Sequence, residues 1–372
     1  MFNLRLKEKP EFALDPSGVT GPRIPPPVAE TRPGEGSLYF VIDRSPDTLQ
    51  LVSLPGDCVT ASAPCPEPSP VEGFPNKNNT IQPLIWSPDG KLALLVQQNE
   101  LYRYDPTGDE WKEIARFPIL RESVVWSADS EQLAFVVQLE NERQDVFTLQ
   151  ADGTNLQNVT GNQFSDPDTA LWVDGFLADG RLLFEVIRRD AAQIYTMRLD
   201  DPPESAAPDF SMNHGILAIA PDRKQVAYTT QENGSVTIQV VGVNLDGEAS
   251  AGLRAGDPRQ LASFRQSSVQ QMLWLAEETG GEWLVFLVSS GSSEQNVTHT
   301  VYAIRPDGTD LRQLFQEPGI QRLAAVPGGQ FVIAEGVRDG RLVVIPIDDA
   351  ETRLVEAPGL RLDQPLLGAS WR

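Results

Sequence analysis

The stretch Trp86-Ser87-Pro88-Asp89-Gly90-Lys91, followed at once by the apolar run Leu92-Ala93-Leu94-Leu95-Val96, decides the fold. An aromatic residue ends one strand, a Pro-Asp-Gly turn reverses the chain, and the apolar run forms the next strand. Related units recur along the chain, with anchors at Trp126, Phe176, Ile219, Trp274, Ala325 and Trp371. The spacing of these anchors is close to the repeat length of β-propeller blades.

Each unit continues into a third strand with period-two alternation and then into an outer strand. The third strands are expected at Leu49-Gln50-Leu51, Leu101-Tyr102-Arg103-Tyr104, Val146-Phe147-Thr148-Leu149, Ile194-Tyr195-Thr196-Met197, Ile238-Gln239-Val240, Val301-Tyr302-Ala303-Ile304 and Val343-Val344-Ile345. A sheet with two apolar faces is stabilised when several such sheets pack face to face in a ring. Seven anchors therefore predict an all-β fold, a seven-bladed β-propeller. The irregular segment 200–213 leaves six or eight blades as alternatives.

The seventh unit is split between the two ends of the chain. Gly368-Ala369-Ser370-Trp371-Arg372 is the strand that precedes a turn, and Gly36-Ser37-Leu38-Tyr39-Phe40-Val41 is the strand that follows it. We expect pairing of the C-terminal strand with N-terminal strands to close the ring, with Trp371 buried and Leu38 and Phe40 as its partners. Residues 37–372 then form one propeller domain, and residues 1–36 a Pro-rich tail.

Three further segments exceed what a blade needs. Residues 55–81 are expected to replace or decorate the outer strand of the split blade, residues 200–213 to form a link, and residues 247–258 to form a loop without strand character.

The charge and hydropathy of the chain exclude several functions. The net charge is −22, from 52 acidic and 30 basic side chains, and no basic stripe is present to bind nucleic acid. No apolar run is long enough to span a membrane, so membrane association would come through a lost anchor or a partner. The first ten residues lack the apolar core of a signal peptide, so no export signal is visible. A leader already removed, a chain that begins within a longer protein and a cytosolic protein are the alternatives.

The chain has two cysteines, Cys58 and Cys65, within one Pro-rich loop. Their spacing suits a local disulfide and indicates an oxidising compartment. Zinc would require more ligands, and the spacing is not that of a Cys-x-x-Cys redox motif. We expect the disulfide to serve as a structural clamp rather than as part of a binding site.

The sequence carries no recognisable reaction centre. Only two histidines occur, and no Gly-x-Ser-x-Gly elbow, His-Glu-x-x-His motif, phosphate loop or dinucleotide fingerprint is present. We therefore predict no catalytic, cofactor-binding or metal-ligating residues. His214, which precedes an inner strand, is the single ligand candidate, although an ordinary loop histidine is the simpler interpretation. His299 is expected on an exposed strand. A pair of carboxylates for glycoside cleavage is neither predicted nor excluded, because a chain with so many acidic residues contains such pairs by chance.

The Trp-Ser-Pro-Asp-Gly-Lys motif at 86–91 and the Asp-Gly-Thr-x-Leu motifs at 152–156 and 307–311 resemble the WD-like repeats of the TolB-type β-propellers of bacterial envelope proteins. The resemblance covers residues 37–372. It implies a fold and not a function, because such repeats occur in proteins with unrelated roles. The chain departs from TolB in having a Pro-rich tail in place of a preceding α/β domain.

These observations favour a non-catalytic protein-interaction or scaffolding module outside the cytoplasm, in the periplasm or on the surface of a bacterium. It would be an accessory subunit of an envelope or membrane complex, with protein partners that the sequence does not identify. Such a module should expose an apolar or aromatic patch. The alternative is a carbohydrate-binding or carbohydrate-active propeller with its site at the mouth of the central channel.

Overall fold

The computed structural model describes residues 36–372 apart from 46–47, 61–63, 76–82, 98, 121–122, 140–141, 162, 165, 167, 189–190, 202–206, 213–214, 246–253, 278–279, 292–296, 338–340, 349–350 and 361–365. The described residues form seven four-stranded antiparallel sheets in a ring, so the prediction of a seven-bladed propeller is confirmed. Within these residues, no helix is long and apolar enough to cross a membrane. The predicted tail, residues 1–36, lies outside the described part except for its last residue.

The blades follow one another in chain order around the ring. The split blade contains β28 (Leu366–Trp371), β1 (Ser37–Ser45), β2 (Thr48–Pro55) and β3 (Ser69–Pro70), with the short helix α1 (Gly56–Thr60) between β2 and β3. Blade 1 contains β4 (Ile85–Trp86), β5 (Ala93–Gln97), β6 (Glu100–Asp105) and β7 (Glu110–Arg116). Blade 2 contains β8 (Val125–Trp126), β9 (Gln132–Gln138), β10 (Gln144–Gln150) and β11 (Gln157–Asn158).

Blade 3 contains β12 (Thr169–Phe176), β13 (Leu182–Arg188), β14 (Ala191–Met197) and β15 (Ala207–Met212). Blade 4 contains β16 (Leu217–Ile219), β17 (Gln225–Glu232), β18 (Ser235–Val243) and β19 (Arg254–Arg265). Blade 5 contains β20 (Ser267–Ala276), β21 (Glu282–Ser290), β22 (Thr298–Ile304) and β23 (Arg312–Glu317). Blade 6 contains β24 (Arg322–Ala325), β25 (Phe331–Val337), β26 (Arg341–Pro346) and β27 (Arg353–Leu354).

The anchor tryptophans join each blade to the blade before it. Trp126 Nε1 donates to the carbonyl oxygen of Ile85 at 2.9 Å, and Trp274 Nε1 donates to that of Ala218 at 3.1 Å. Both acceptors lie one residue before the anchor of the preceding blade. An indole at this place thus contributes a large apolar surface and also satisfies a backbone carbonyl across the blade interface.

The ring closes through β28, as the sequence predicts. Leu38 of β1 pairs with Trp371 of β28, and both are buried. The register shifts between Tyr39 and Val41, so Phe40, which is fully buried, lies opposite a bulge rather than a single partner. Trp371 is 7% exposed although it is the penultimate residue. Unlike Nε1 of the other anchor tryptophans, Trp86, Trp126 and Trp274, the Nε1 of Trp371 has no hydrogen-bond partner among the described residues.

Blade 6 supplies a second connection to the closing strand. Glu335 of β25 accepts hydrogen bonds from the backbone N–H groups of Gly368 and Ala369, at 3.1 and 3.2 Å. Arg322 of β24 donates to Glu335 at 3.0 Å and to the carbonyl oxygen of Ala369 at 2.7 Å. We call these two side chains the closing clasp. It satisfies the backbone groups that the bulge in β28 turns away from β1.

Two of the three irregular segments contain strands that the sequence did not indicate. The prediction of a link over residues 200–213 is wrong, because β15 within it pairs with β14. The loop expected over residues 247–258 is also wrong in its last part, where β19 has already begun. Both strands are the outermost of their blades, where Pro208 and Pro258 are tolerated because one edge of such a strand needs no partner.

The segment 55–81 behaves as expected where it is described. It holds α1 and the two-residue outer strand β3, and Cys58 and Cys65 form a disulfide with a Cα–Cα distance of 4.9 Å. Both cysteines belong to the apolar cluster between the split blade and blade 6. The disulfide therefore lies against the blade interface next to the closing strand.

Candidate ligand site at the channel mouth

A cavity of about 540 Å³ opens on the face of the ring that carries the turns between first and second strands. We call this the turn face. Blades 1 to 4 all contribute to the cavity wall, which includes Pro88, Trp126, Phe176 and Ile219 among its apolar residues. An apolar cavity with few polar groups, placed where several blades meet, has the usual character of a ligand site.

The repeated turns form the rim of the cavity, and their polar side chains form hydrogen bonds within the turns themselves. Ser87 Oγ donates to Asp89 Oδ1 at 2.7 Å, and Ser127 Oγ donates to Asp129 Oδ1 at 2.6 Å in the next blade. The same serine hydroxyls accept from the backbone N–H groups of Leu92 and Gln132. The conspicuous Ser-x-Asp motif is therefore a device for building turns rather than a reactive pair.

The polar group that distinguishes the cavity is Asp174, on the innermost strand of blade 3. The pairing of β12 with β13 shifts between Val173 and Gly175, which makes Asp174 the extra residue of a β-bulge. Glycine is favoured at position 175, because its φ of +152° is one that other residues rarely adopt and because a Cβ atom would lie 2.9 Å from Cδ1 of Ile219 in blade 4. Bulges of this kind reorient a side chain, and they recur beside functional sites.

Behind Asp174 lies a second acidic side chain, Glu185 of β13. It is 5% exposed and stands opposite Trp172 in the register of β12 and β13. Leu183, two residues earlier on the same face of the strand, packs against Val226 and Tyr228 of blade 4. Glu185 is therefore inserted into the apolar interface between blades 3 and 4.

Burial gives both acids unusual proton affinity. It raises the pKa of Glu185 to about 7. Burial also raises the pKa of Asp174 well above its ordinary value, and the nearby negative charge of Glu185 raises that pKa further. Although Asp174 as a whole is partly exposed, its Oδ2 is inaccessible to water and has no hydrogen-bond partner among the described residues. Both shifts favour the protonated, uncharged forms of the two side chains.

Arg223 is the one cation among the residues that form the cavity wall, and it is already engaged. Its Nη1 donates to the carbonyl oxygen of Phe176 at 2.7 Å. Burial lowers the pKa of Arg223, and the charge of Asp129 opposes that effect. Its backbone φ of +58° occupies the left-handed region, where the equivalent turns of blades 1 and 3 have glycine. The hydrogen bond from Arg223 to Phe176 joins the turn of blade 4 to blade 3.

The residues singled out from the sequence lie away from this cavity. His214 lies outside the described residues. His299 is partly buried on β22, its Nδ1 accepts from the N–H of Gly319 at 3.3 Å, and burial lowers its pKa. Within the described part of the chain, no group of three or more His, Cys, Asp or Glu side chains is placed to hold a metal ion.

Sequence reasoning passed over Asp174, Glu185 and Arg223, although one signal was present. Glu185 interrupts the run Leu182-Leu183-Phe184-Glu185-Val186, in which the four remaining residues are all apolar. A charge in the middle of a buried strand marks either a structural ion pair or a site. The proximity of Asp174 depends on a bulge, which the sequence pattern does not reveal.

Comparison with known proteins identifies the fold but no close relative. No family model matches the chain, and no curated protein matches it. Among solved structures, TolB from Acinetobacter baumannii is similar, with a TM-score of 0.51 and 14% identity over 91% of this chain and 67% of that one. An oligogalacturonate lyase from Vibrio parahaemolyticus has a TM-score of 0.55 and 11% identity over 88% of each chain.

A 6-phosphogluconolactonase-like protein from Bacteroides fragilis has a TM-score of 0.52 and 12% identity over 92% of this chain and 99% of that one. The chain therefore has the fold of the TolB-type β-propellers, as its repeats indicate. Identities this low establish the fold alone, and the same fold carries both binding proteins and enzymes.

Proposed function

We propose that this protein is a non-catalytic propeller of the extracytoplasmic space, which binds a protein partner by inserting part of that partner into the turn-face cavity. The observation that carries the proposal is the cavity itself. It is formed by four blades, has mainly apolar walls and is lined on one side by the carboxyl group of Asp174. Such a site suits the anchoring side chain of a partner segment.

The rest of the described surface supports an inserted anchor rather than a flat apolar interface. Only two large apolar side chains are strongly exposed within the described residues, Leu156 at 40% and Leu311 at 49%. They occupy the same place in the Asp-Gly-Thr-x-Leu turns of blades 2 and 5, which are separated by two other blades. The apolar patch expected from the sequence is therefore absent from this part of the surface, and the cavity is the better candidate.

The location outside the cytoplasm is supported by the disulfide. Cys58 and Cys65 are the only cysteines of the chain, and they are bonded to each other. Disulfides of this structural kind persist in oxidising compartments such as the periplasm.

Site-specific photo-cross-linking in native envelopes tests the proposal. A photoreactive amino acid replaces Ala178 on the cavity wall, and a matched control replaces Asn155 on the exposed turn of blade 2. We expect a discrete protein adduct from position 178 and none of the same mass from position 155. Adducts that are identical at both positions, or absent at 178, would contradict a partner bound in the cavity.

A carbohydrate-active propeller is the second candidate, and the acid pair is the observation in its favour. Glycoside cleavage commonly uses two carboxyl groups, one of which keeps its proton near neutral pH. The test is incubation with neutral and uronic-acid oligosaccharides, followed by measurement of released reducing ends. Release that is lost in Asp174→Asn would replace the binding proposal with an enzymatic one.

A further inference from the structure

Glu185 and Glu335 occupy the same position in their respective blades. Each lies three residues after the residue that pairs with the blade's anchor, because Leu182 pairs with Phe176 and Val332 pairs with Ala325. Both are buried, at 5% and 8% exposure. The surroundings of Glu185 in blade 3 can therefore be compared directly with those of Glu335 in blade 6.

The two environments differ in the residue that stands across the strand. Opposite Glu335 is Arg322, which forms an ion pair with it at 3.0 Å. Opposite Glu185 is Trp172, and the neighbouring ionisable group is another acid, Asp174. Among the described residues, no cation stands beside Glu185 as Arg322 stands beside Glu335. Burying two carboxyl groups without a counter-ion destabilises the fold, which suggests that the pair serves a function.

The remaining charges around the cavity do not supply that counter-ion. Arg223 donates to the carbonyl oxygen of Phe176 and is influenced by Asp129 on blade 2, not by the acid pair. Asp222, beside it on the rim, is exposed and adds negative charge. Together with the net charge of −22, this arrangement attracts cations to the cavity.

We propose that the cavity binds a lysine or arginine side chain of the partner segment, with the cationic group beside Asp174, the acid of the pair that lines the cavity. This inference rests on the proposed function, because the basic side chain belongs to the inserted segment. The aliphatic part of a lysine or arginine suits the wall formed by Trp126 and Phe176, while its charged end reaches Asp174.

The cation must displace protons, which makes binding dependent on pH. The groups that set this dependence are Asp174 on β12, Glu185 on β13, Asp222 and Arg223 on the turn of blade 4, and Asp129 on the turn of blade 2. Burial raises the pKa of Glu185 to about 7, and it also raises the pKa of Asp174. Affinity should therefore increase as the pH rises from 5.5 to 8, with proton release on binding.

The probes for the test are Nα-acetyl-lysine methylamide, its arginine analogue and its norleucine analogue, which has the lysine stem without the charge. Binding to the full chain is measured by ligand-detected NMR. We expect the two cationic probes to bind at least about tenfold more tightly than norleucine, and Asp174→Asn to remove this preference. Glu110→Gln, a change at an exposed acid of β7 outside the cavity wall, should alter affinity less than about twofold.

A second variant supplies the cation within the chain. Trp172→Arg places a guanidinium opposite Glu185, in the register position that Arg322 holds opposite Glu335. It should abolish binding of the cationic probes while circular dichroism and unfolding remain cooperative. If Trp172→Arg does not fold, Asp174→Asn still decides the matter. Equal binding of lysine and norleucine probes, or unchanged lysine affinity in Asp174→Asn, would overturn the inference.

The cross-linking experiment separates this inference from the proposed function. A cross-linked partner whose yield is unaffected by Asp174→Asn would retain the interaction at the cavity and refute the basic anchor. Selective binding of the lysine probe, with no cross-linked protein at position 178, would refute the protein partner and retain only a cation site.

Discussion

Glu185 should make the stability of the whole protein depend on pH. The folded state retains its proton up to about pH 7, whereas an unperturbed glutamate loses it near 4.5. A folded pKa above the unfolded one means that stability falls as the pH rises from about 4.5 to about 7 and is constant above that range. Asp174, whose pKa is also raised, acts in the same direction.

Glu185→Gln removes this cost, because an amide does not ionise. We expect the variant and the wild type to have similar free energies of unfolding at pH 4. At pH 8 the variant should be more stable, by on the order of 1 to 3 kcal/mol. Urea unfolding at both pH values measures the difference, with Glu110→Gln on an exposed strand position as control. An unchanged stability at pH 8 would mean that Glu185 is not held in a proton-retaining environment.

At the scale of single elements, the closing strand depends on the clasp from blade 6. Glu335→Ala leaves two buried backbone N–H groups without their acceptor and Arg322 without its ion-pair partner. We expect a loss of about 2 to 4 kcal/mol in the free energy of unfolding. Glu356→Gln, exposed in the same blade, should change it by less than about 0.5 kcal/mol. Equal effects of the two variants in urea unfolding would show that the clasp does not hold β28.

The disulfide is a second local device beside the same strand. It closes a loop whose ends are 7 residues apart in sequence. Limiting the unfolded chain to such a loop is worth about 2.5 kcal/mol in the chain-entropy description. Replacing both cysteines by serine should lower the unfolding free energy by roughly that amount without altering cavity binding. Thermal unfolding together with lysine-probe NMR checks both parts, and a loss of probe binding would give the loop a role at the site.

The strands that the sequence pattern predicted and the strands that it missed occupy different positions within the blade. Inner and middle strands are buried on both faces, so their apolar runs and the turns after Trp86 and Trp126 predict them well. The outer strands β15 and β19 pack on one edge only, tolerate proline and have mixed composition. Local pattern therefore indicates a linker, although the hydrogen-bonding edge of the neighbouring strand still forms a sheet there.

At the scale of the whole molecule, closure of the ring should control cooperativity. Removing residues 368–372 takes away the backbone groups that the clasp binds, Trp371 and two of the four residue pairs between β28 and β1. We expect the truncated chain to unfold at lower urea concentration and with a smaller dependence on denaturant, because part of the ring is already open. A truncated chain that unfolds like the full one would exclude closure by β28.

The sequence predicts the ring far better than it predicts the site. Seven anchors and two terminal half-units specify the architecture, because each repeat carries its own pattern of strand, turn and apolar run. The site depends on where two acids meet: Asp174 is placed by a bulge, and Glu185 faces it from the adjoining strand. Such proximity arises from tertiary packing, so Glu185 shows in the sequence only as a charge inside an apolar run.

Carbon-detected NMR of protein labelled at its carboxyl carbons tests most directly whether a proton-retaining acid pair beside the cavity is the binding site. Asp174→Asn and Glu185→Gln assign the two resonances. In the free protein the Asp174 carboxyl should titrate with a pKa well above the ordinary value of 3.8, and saturating Nα-acetyl-lysine methylamide should leave it ionised at pH 7. An Asp174 carboxyl that titrates near 4, or that keeps its proton when the probe is saturating, would contradict this site.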